Sequence, residues 1–184
     1  MSNKFGKKLE DMPLKKQIQK EKHLQTSQEG TDRFLQEPAL VYEIGGAGRY
    51  LGIAGGTLYG PNQKEKQLML IRGGLTRGAL DILMEKTGLS IYELADILEV
   101  TDRTLRRYAS DEVLNKRLSE RAFEIANLYD RGEQVFGDAP SFRQWMSTEV
   151  PALGHRTPKS FLDTSMGIQM LMDELGRIEH GVFA

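Results

Sequence analysis

The chain has 184 residues, 39% of them hydrophobic and 28% charged, with a formal net charge of −1. That is enough to bury a core as one domain or two small ones. It has no cysteine and three scattered histidines, His23, His155 and His180, so disulfides, thiolate metal sites and a spaced histidine cluster are excluded and no cofactor is expected. No apolar run approaches the ~18 residues of a membrane span and no signal-peptide core opens the chain, which makes a cytoplasmic protein the expectation.

Charge is unevenly placed. Residues 1–24 carry seven lysines against three acids, whereas residues 124–184 carry five basic against nine acidic residues. The acidic C-terminal third suits a cationic partner better than a nucleic acid. Residues 1–38, rich in Lys and Gln, read as a flexible arm or marginal helix. Residues 39–60 hold Gly45-Gly46-Ala47-Gly48 and Gly55-Gly56, yet neither a P-loop nor a dinucleotide fingerprint is present. Turns or small-residue helix packing fit that stretch better than a nucleotide loop. Helical character returns over 61–72, where Leu68, Met69 and Ile71 follow a charged turn and Gly73-Gly74 ends the helix. Thr76 then opens a helix to Thr87 with Leu80, Leu83 and Met84 inward, and Gly88 terminates it.

The stretch Gly88 to Ala109 is the most informative. Ile91, Leu94, Ala95 and Leu98 fall at i, i+3, i+4 and i+7, one apolar face of a helix. Ser90 with Glu93 makes a capping box. Thr101 caps a second segment that buries Leu105, Tyr108 and Ala109. Arg103, Arg106 and Arg107 gather on its other side. An acidic first helix (Glu93, Asp96, Glu99) followed by an arginine-bearing one fits a helix-turn-helix with Thr101 to Tyr108 as recognition helix. Arginine suits that place because its fork bonds guanine edges or phosphate oxygens bidentately. The DNA-binding residues expected are Ser90, Thr101, Asp102, Arg103, Thr104, Arg106 and Arg107. Glu99 occupies the turn where a positive φ favours glycine, at a cost on the order of 1 kcal/mol.

Asp111 to Tyr129 reads as the longest amphipathic run, with Leu114, Leu118, Ala122, Ile125, Ala126 and Tyr129 in helical phase. Arg117 and Arg121 project from another face and could meet DNA backbone. After Val135-Phe136-Gly137-Asp138, Pro140 suits a first turn, Phe142, Trp145 and Met146 share a face, and Trp145 is a core anchor. Leu153 to Pro158 is a loop closing on Thr157 as cap. Thr164 or Ser165 starts a last helix whose inner face is Ile168, Leu171, Met172, Leu175 and Ile178, and Gly181 stops it. The apolar tail Val182-Phe183-Ala184 either packs home or docks into a partner.

These residues resemble a known family. Arg103-Thr104-Leu105-Arg106-Arg107-Tyr108, Leu118-Ser119-Glu120-Arg121, Val135-Phe136-Gly137-Asp138 and Trp145-Met146 match it. So do Leu153-Gly154, Arg156-Thr157-Pro158, Leu162-Asp163-Thr164, Gly167 and the ending Leu175 to Ala184. From about residue 66 onward the chain resembles the Xre-type antitoxins of RES/Xre toxin–antitoxin pairs. His155 stands where glycine or a small polar residue is usual. The resemblance implies an all-α protein, a helix-turn-helix bundle followed by a small helical toxin-binding domain. An N-terminal arm and Gly-rich segment would occupy 1–60, the helix-turn-helix 61–129 and the toxin-binding domain 130–184.

The partners implied are a RES-domain toxin that consumes NAD and operator DNA, with self-association into a dimer or a larger complex with toxin. The protein would not itself be an enzyme, and no catalytic or metal constellation argues otherwise. Toxin contacts are expected from Leu153, Gly154, Arg156 and Thr157, and from Leu175, Ile178, Glu179, His180, Gly181, Val182, Phe183 and Ala184. An NAD cleft must hold a pyrophosphate, so the acidic helix and apolar tail, ending in a carboxylate, are expected to plug or flank its entrance. The rival readings are a stand-alone helix-turn-helix regulator with a dimerising C-terminal domain, a nucleotide-dependent enzyme built on 39–60, and an antitoxin whose helix-turn-helix no longer binds DNA.

Overall fold

A computed structural model describes residues 46–53 and 62–181. Its helices are α1 (Ala47–Tyr50), α2 (Gln63–Gly73), α3 (Arg77–Thr87), α4 (Ile91–Ile97), α5 (Asp102–Arg107), α6 (Lys116–Phe136), α7 (Ala139–Met146) and α8 (Ser165–Glu179), with 3-10 turns at Pro151–Leu153 and Pro158–Phe161. No strand occurs among the described residues, only the isolated bridges Thr76–Val113 and Val150–Arg156. The all-α expectation holds.

The longest helix, α6, is the spine against which α1, α2, α3, α7 and α8 all pack. Its buried face combines Leu118, Ala122, Ile125, Ala126, Leu128 and Tyr129, a stripe at helical spacing that needs cover on more than one side. One continuous core results, running from Leu80 and Leu83 through Leu94 and Leu105 to Phe142, Leu162, Leu171 and Leu175. Each such side chain contributes roughly 1.5–3 kcal/mol by leaving water. Hydrogen bonds from Arg121 to Ser165 at one end, 3.0 Å, and from Arg131 to Glu179 at the other, set α8 parallel to α6.

Several local expectations are corrected. The long helix begins at Lys116, not Asp111, and continues past Tyr129 to Phe136. Leu114 is in helical phase but is buried from the preceding turn, where its N–H donates to the Leu75 carbonyl at 2.8 Å. Asn115 then caps the helix, its side chain accepting from Leu118 N–H. Thr76 stands at the start of α3 without a side-chain capping bond. The Arg77 and Gly78 N–H groups donate instead to the carbonyls of Glu112 and Ser110, both at 2.8 Å. Thr157 likewise makes no capping bond before Pro158. Ile71 leans on the core while Leu68 and Met69 face outward.

Part of the Gly-rich stretch is placed. Gly46 has φ 90° and its N–H donates to the Asp130 carboxylate at 2.6 Å. The single turn α1 then lays Tyr50 against Tyr129, centroids 6.0 Å apart. Arg49 pairs with Asp130 and Glu133 at 3.3 and 2.6 Å, and the Tyr50 hydroxyl donates to Glu133 at 2.8 Å. Burial, then the bond to Glu133, push the Tyr50 hydroxyl far above the usual phenol range. Burial raises Asp130 despite the N–H of Gly46 and the charge of Arg49. A turn thus anchors this stretch to α6, through the Gly46 N–H and the side chains of Arg49 and Tyr50. Gly45, Gly55 and Gly56 lie outside the described residues.

Candidate functional site

α4 and α5 form the expected helix-turn-helix. Ser90 and Glu93 close a full capping box: Glu93 N–H donates to Ser90 Oγ at 3.3 Å, and Ser90 N–H to Glu93 Oε2 at 2.8 Å. Leu94, Ala95 and Leu98 are buried with Ile97, which periodicity alone did not single out. The turn is made by Glu99 in the left-handed region at φ 54°, a conformation in which Glu99 pairs with Arg117 of α6. Thr101 caps α5, accepting from Thr104 N–H at 3.1 Å.

The helix expected to read DNA, α5, is shorter than the sequence suggests. It ends at Arg107, with Tyr108 at its cap; Leu105 is fully buried, Tyr108 half-buried and Ala109 exposed. Ala109 leaves the core because the chain turns out of the helix there, its N–H donating to Glu112 at 3.0 Å.

Three arginines stand exposed on α5, but their surroundings differ. Arg106 bonds Asp102 at 3.3 Å and lies over the exposed Tyr92 ring, 5.7 Å from its centroid. Arg103 and Arg107 pair with no acid among the described residues. Thr104 is exposed beside them, whereas Ser90, Thr101 and Asp102 are occupied in capping and pairing. Arg117 is exposed and pairs with Glu99 on the surface, while Arg121 is largely covered and held by Glu124 and Ser165.

A residue that sequence reasoning missed holds this helix in place. Arg77, at the start of α3, is buried; its Nε donates to the Leu105 carbonyl at 2.9 Å and its Nη1 to Asp81 at 2.5 Å. A cation at the C-terminal turn of α5 complements the helix dipole. Only the spacing Arg77–Asp81 was readable, and i,i+4 pairs are usually surface pairs.

In the C-terminal segment, Asp138 caps α7 by accepting from Ser141 N–H at 2.6 Å, and that bond holds its carboxyl below the usual range. Phe142 is fully buried, and Trp145 is half-buried, stacked on it at 5.6 Å. The expected toxin loop is tightly made: His155 N–H donates to the Val150 carbonyl, as Val150 N–H does to that of Arg156, both at 3.1 Å. Gly154 and His155 are both left-handed, φ 69° and 58°, a region that suits glycine and costs a residue bearing a Cβ. The Arg156 guanidinium lies 4.2 Å above the Phe161 ring, and Thr157 is half-buried.

The expected toxin residues divide by burial. Leu153 and Leu175 face the core, so they shape the surface rather than form it. Ile178 is half-buried, Glu179 pairs with Arg131, and His180 and Gly181 are exposed. Val182, Phe183 and Ala184 lie outside the described residues.

Cross-links tie the helix-turn-helix to this segment. Lys159 pairs with Glu93, the capping-box carboxylate, and Arg143 Nη1 donates to the Lys86 carbonyl at 3.0 Å. The hydrogen bond from Lys159, then that from the Ser90 N–H, pull the Glu93 carboxyl down to about 2.

Residues 66–127 match the antitoxin Xre-like helix-turn-helix domain, and residues 131–181 match the antitoxin Xre/MbcA/ParS C-terminal toxin-binding domain. The chain is similar to an Antitoxin Xre from Yersinia enterocolitica serotype O:8 / biotype 1B, 39% identical over 95 residues, covering 49% of this chain and 64% of that protein. It is also similar to an Antitoxin Xre from Photorhabdus laumondii subsp. laumondii, 32% identical over 104 residues, covering 50% and 66%. The matched region thus spans just under two thirds of each relative. With both segments in this order on one chain, and built on helices that deliver the arginine-bearing turn and the acidic C-terminal helix, the chain belongs to the Xre antitoxin family.

Proposed function

We propose that this protein is an antitoxin that binds and neutralises a cognate RES-domain, NAD-consuming toxin through residues 131–181. Through its helix-turn-helix it represses its own operon, working in the cytoplasm as a dimer or a larger complex with toxin. It acts by binding, not by catalysis. The observation that carries the reading is the pairing, on one spine, of a recognition helix with two uncommitted arginines and a segment of toxin-binding type. One helix-turn-helix reads a half-site, so useful operator affinity needs two copies.

The test is cellular NAD in a host expressing the adjacent reading frame, with and without this chain. NAD is expected to collapse and co-expression to prevent it. NAD that never falls, or falls regardless of this protein, rejects the toxin-binding role and leaves a plain DNA-binding regulator. The proposed seat of inhibition is the end of α8 and the tail beyond it. Deleting Val182, Phe183 and Ala184 should release toxin activity while operator binding survives; unchanged neutralisation would reject the plug.

A further inference from the structure

α8 carries two apolar stripes, and the fold uses one. Ile168, Leu171 and Leu175 are buried against α6. On the outer side, Met166 and Met170 are 73% and 42% exposed, the large hydrophobic side chains left exposed among the described residues of 131–181. They are one turn apart and therefore neighbours on the helix surface. Two long apolar side chains thus stand in water side by side on a face whose neighbouring positions, Gln169 and Asp173, are polar and exposed. A second stripe calls for a second partner.

The surroundings state what that partner is. Asp163 and Asp173 are exposed on either side of the methionine pair, and Asp163 pairs with no cation among the described residues. Asp173 accepts a hydrogen bond from Gln169 at 2.9 Å. An apolar centre with an acidic rim fits a protein surface with an apolar centre and a lysine or arginine rim. It does not fit DNA. A second copy of the chain fits poorly too, because an isologous contact sets a patch against itself and would bring the acidic rims together.

We infer that Met166 and Met170 form an anchor for the toxin, seated in an apolar depression of a cationic toxin surface and separate from the contacts expected at the end of α8. This rests on the antitoxin reading. Methionine suits the task because its unbranched, polarisable chain adapts to an irregular surface.

The experiment is titration of the purified protein encoded by the adjacent reading frame into the full chain and into an M166E/M170E variant. Melting temperature, oligomeric mass and operator affinity are read alongside. Both side chains are exposed, so the variant should fold, melt and bind operator as the parent does. Its Kd for the toxin should rise on the order of 30-fold or more, the range of a binding hot spot. An M166L/M170L variant should bind within a few-fold of the parent. D163K/D173K should slow association and weaken its salt dependence. A folded M166E/M170E variant that keeps the parent's affinity overturns the inference, as does one that changes oligomeric mass but not toxin affinity. If the parent binds no such protein, the antitoxin reading itself fails, a different result from loss confined to the variants.

Discussion

Arg77 and Leu105 lie 28 residues apart in sequence, yet the guanidinium of one holds the carbonyl of the other at 2.9 Å and so ties the C-terminal turn of α5 to α3. Replacing Arg77 with methionine leaves that carbonyl without its charged donor, at a cost of about 2 kcal/mol. Urea unfolding should show a lower midpoint with an unchanged slope, and operator affinity should fall although Arg77 is too buried to touch DNA. Lysine should rescue little, because it lacks the fork that reaches Leu105 and Asp81 together.

The arginines of α5 should separate by salt dependence. Removing a phosphate contact weakens all sequences alike and lowers the salt slope by about one, whereas removing a base contact costs ~1–3 kcal/mol and relaxes one operator position. Arg103→Ala and Arg107→Ala should each show one of these signatures in binding assays on operator and scrambled DNA. If Arg103→Ala, Arg106→Ala and Arg107→Ala all leave operator affinity untouched, α5 is not the recognition helix.

Glu93 should leave a mark on acid stability. Its carboxyl is held at about 2 by Lys159 and Ser90, below an unfolded value near 4.3. A depressed acid binds fewer protons when folded, so its stabilisation is complete above roughly pH 4.3 and fades as pH falls toward about 2. Glu93→Gln should flatten the denaturation midpoint across that window. Lys159→Met should shrink the same step while leaving the capping box in place.

Two helical glycines should respond oppositely to alanine. A Cβ on Gly132 would lie 2.3 Å from the Phe142 ring, while one on Gly176 would meet nothing within 4 Å. Gly132→Ala should destabilise by about 1–3 kcal/mol through overpacking, more than the gain in helix propensity returns. Gly176→Ala should stabilise by roughly 0.5–1 kcal/mol. Thermal melts of both variants measure the contrast.

Much of this was legible because it is local. The capping box Ser90–Glu93, the caps Thr101 and Thr164, Pro140 in the first turn of α7 and the inner stripe of α8 depend on residues three or four apart, and their geometry follows from spacing. The rest depends on contacts that spacing does not carry. Tyr50 and Arg49 find α6 more than eighty residues away. Arg77 reads as a surface cation until α5 is laid over it. Leu114 keeps helical phase while sitting in a turn, so the start of α6 was displaced. Leu153 and Leu175 belong to a recognisable pattern, but only packing shows that they point inward. In each case tertiary contact overrode a pattern that was correct in itself.

The helix Lys116–Phe136 runs without a break through the gap between the two matched segments, at 127 and 131. A cut there would divide a rod of about 30 Å in mid-span and strip α8 of the face it lies on. The two matched segments are therefore written in succession but folded as one cooperative unit, which should melt in a single transition and perish together in any protease that opens it.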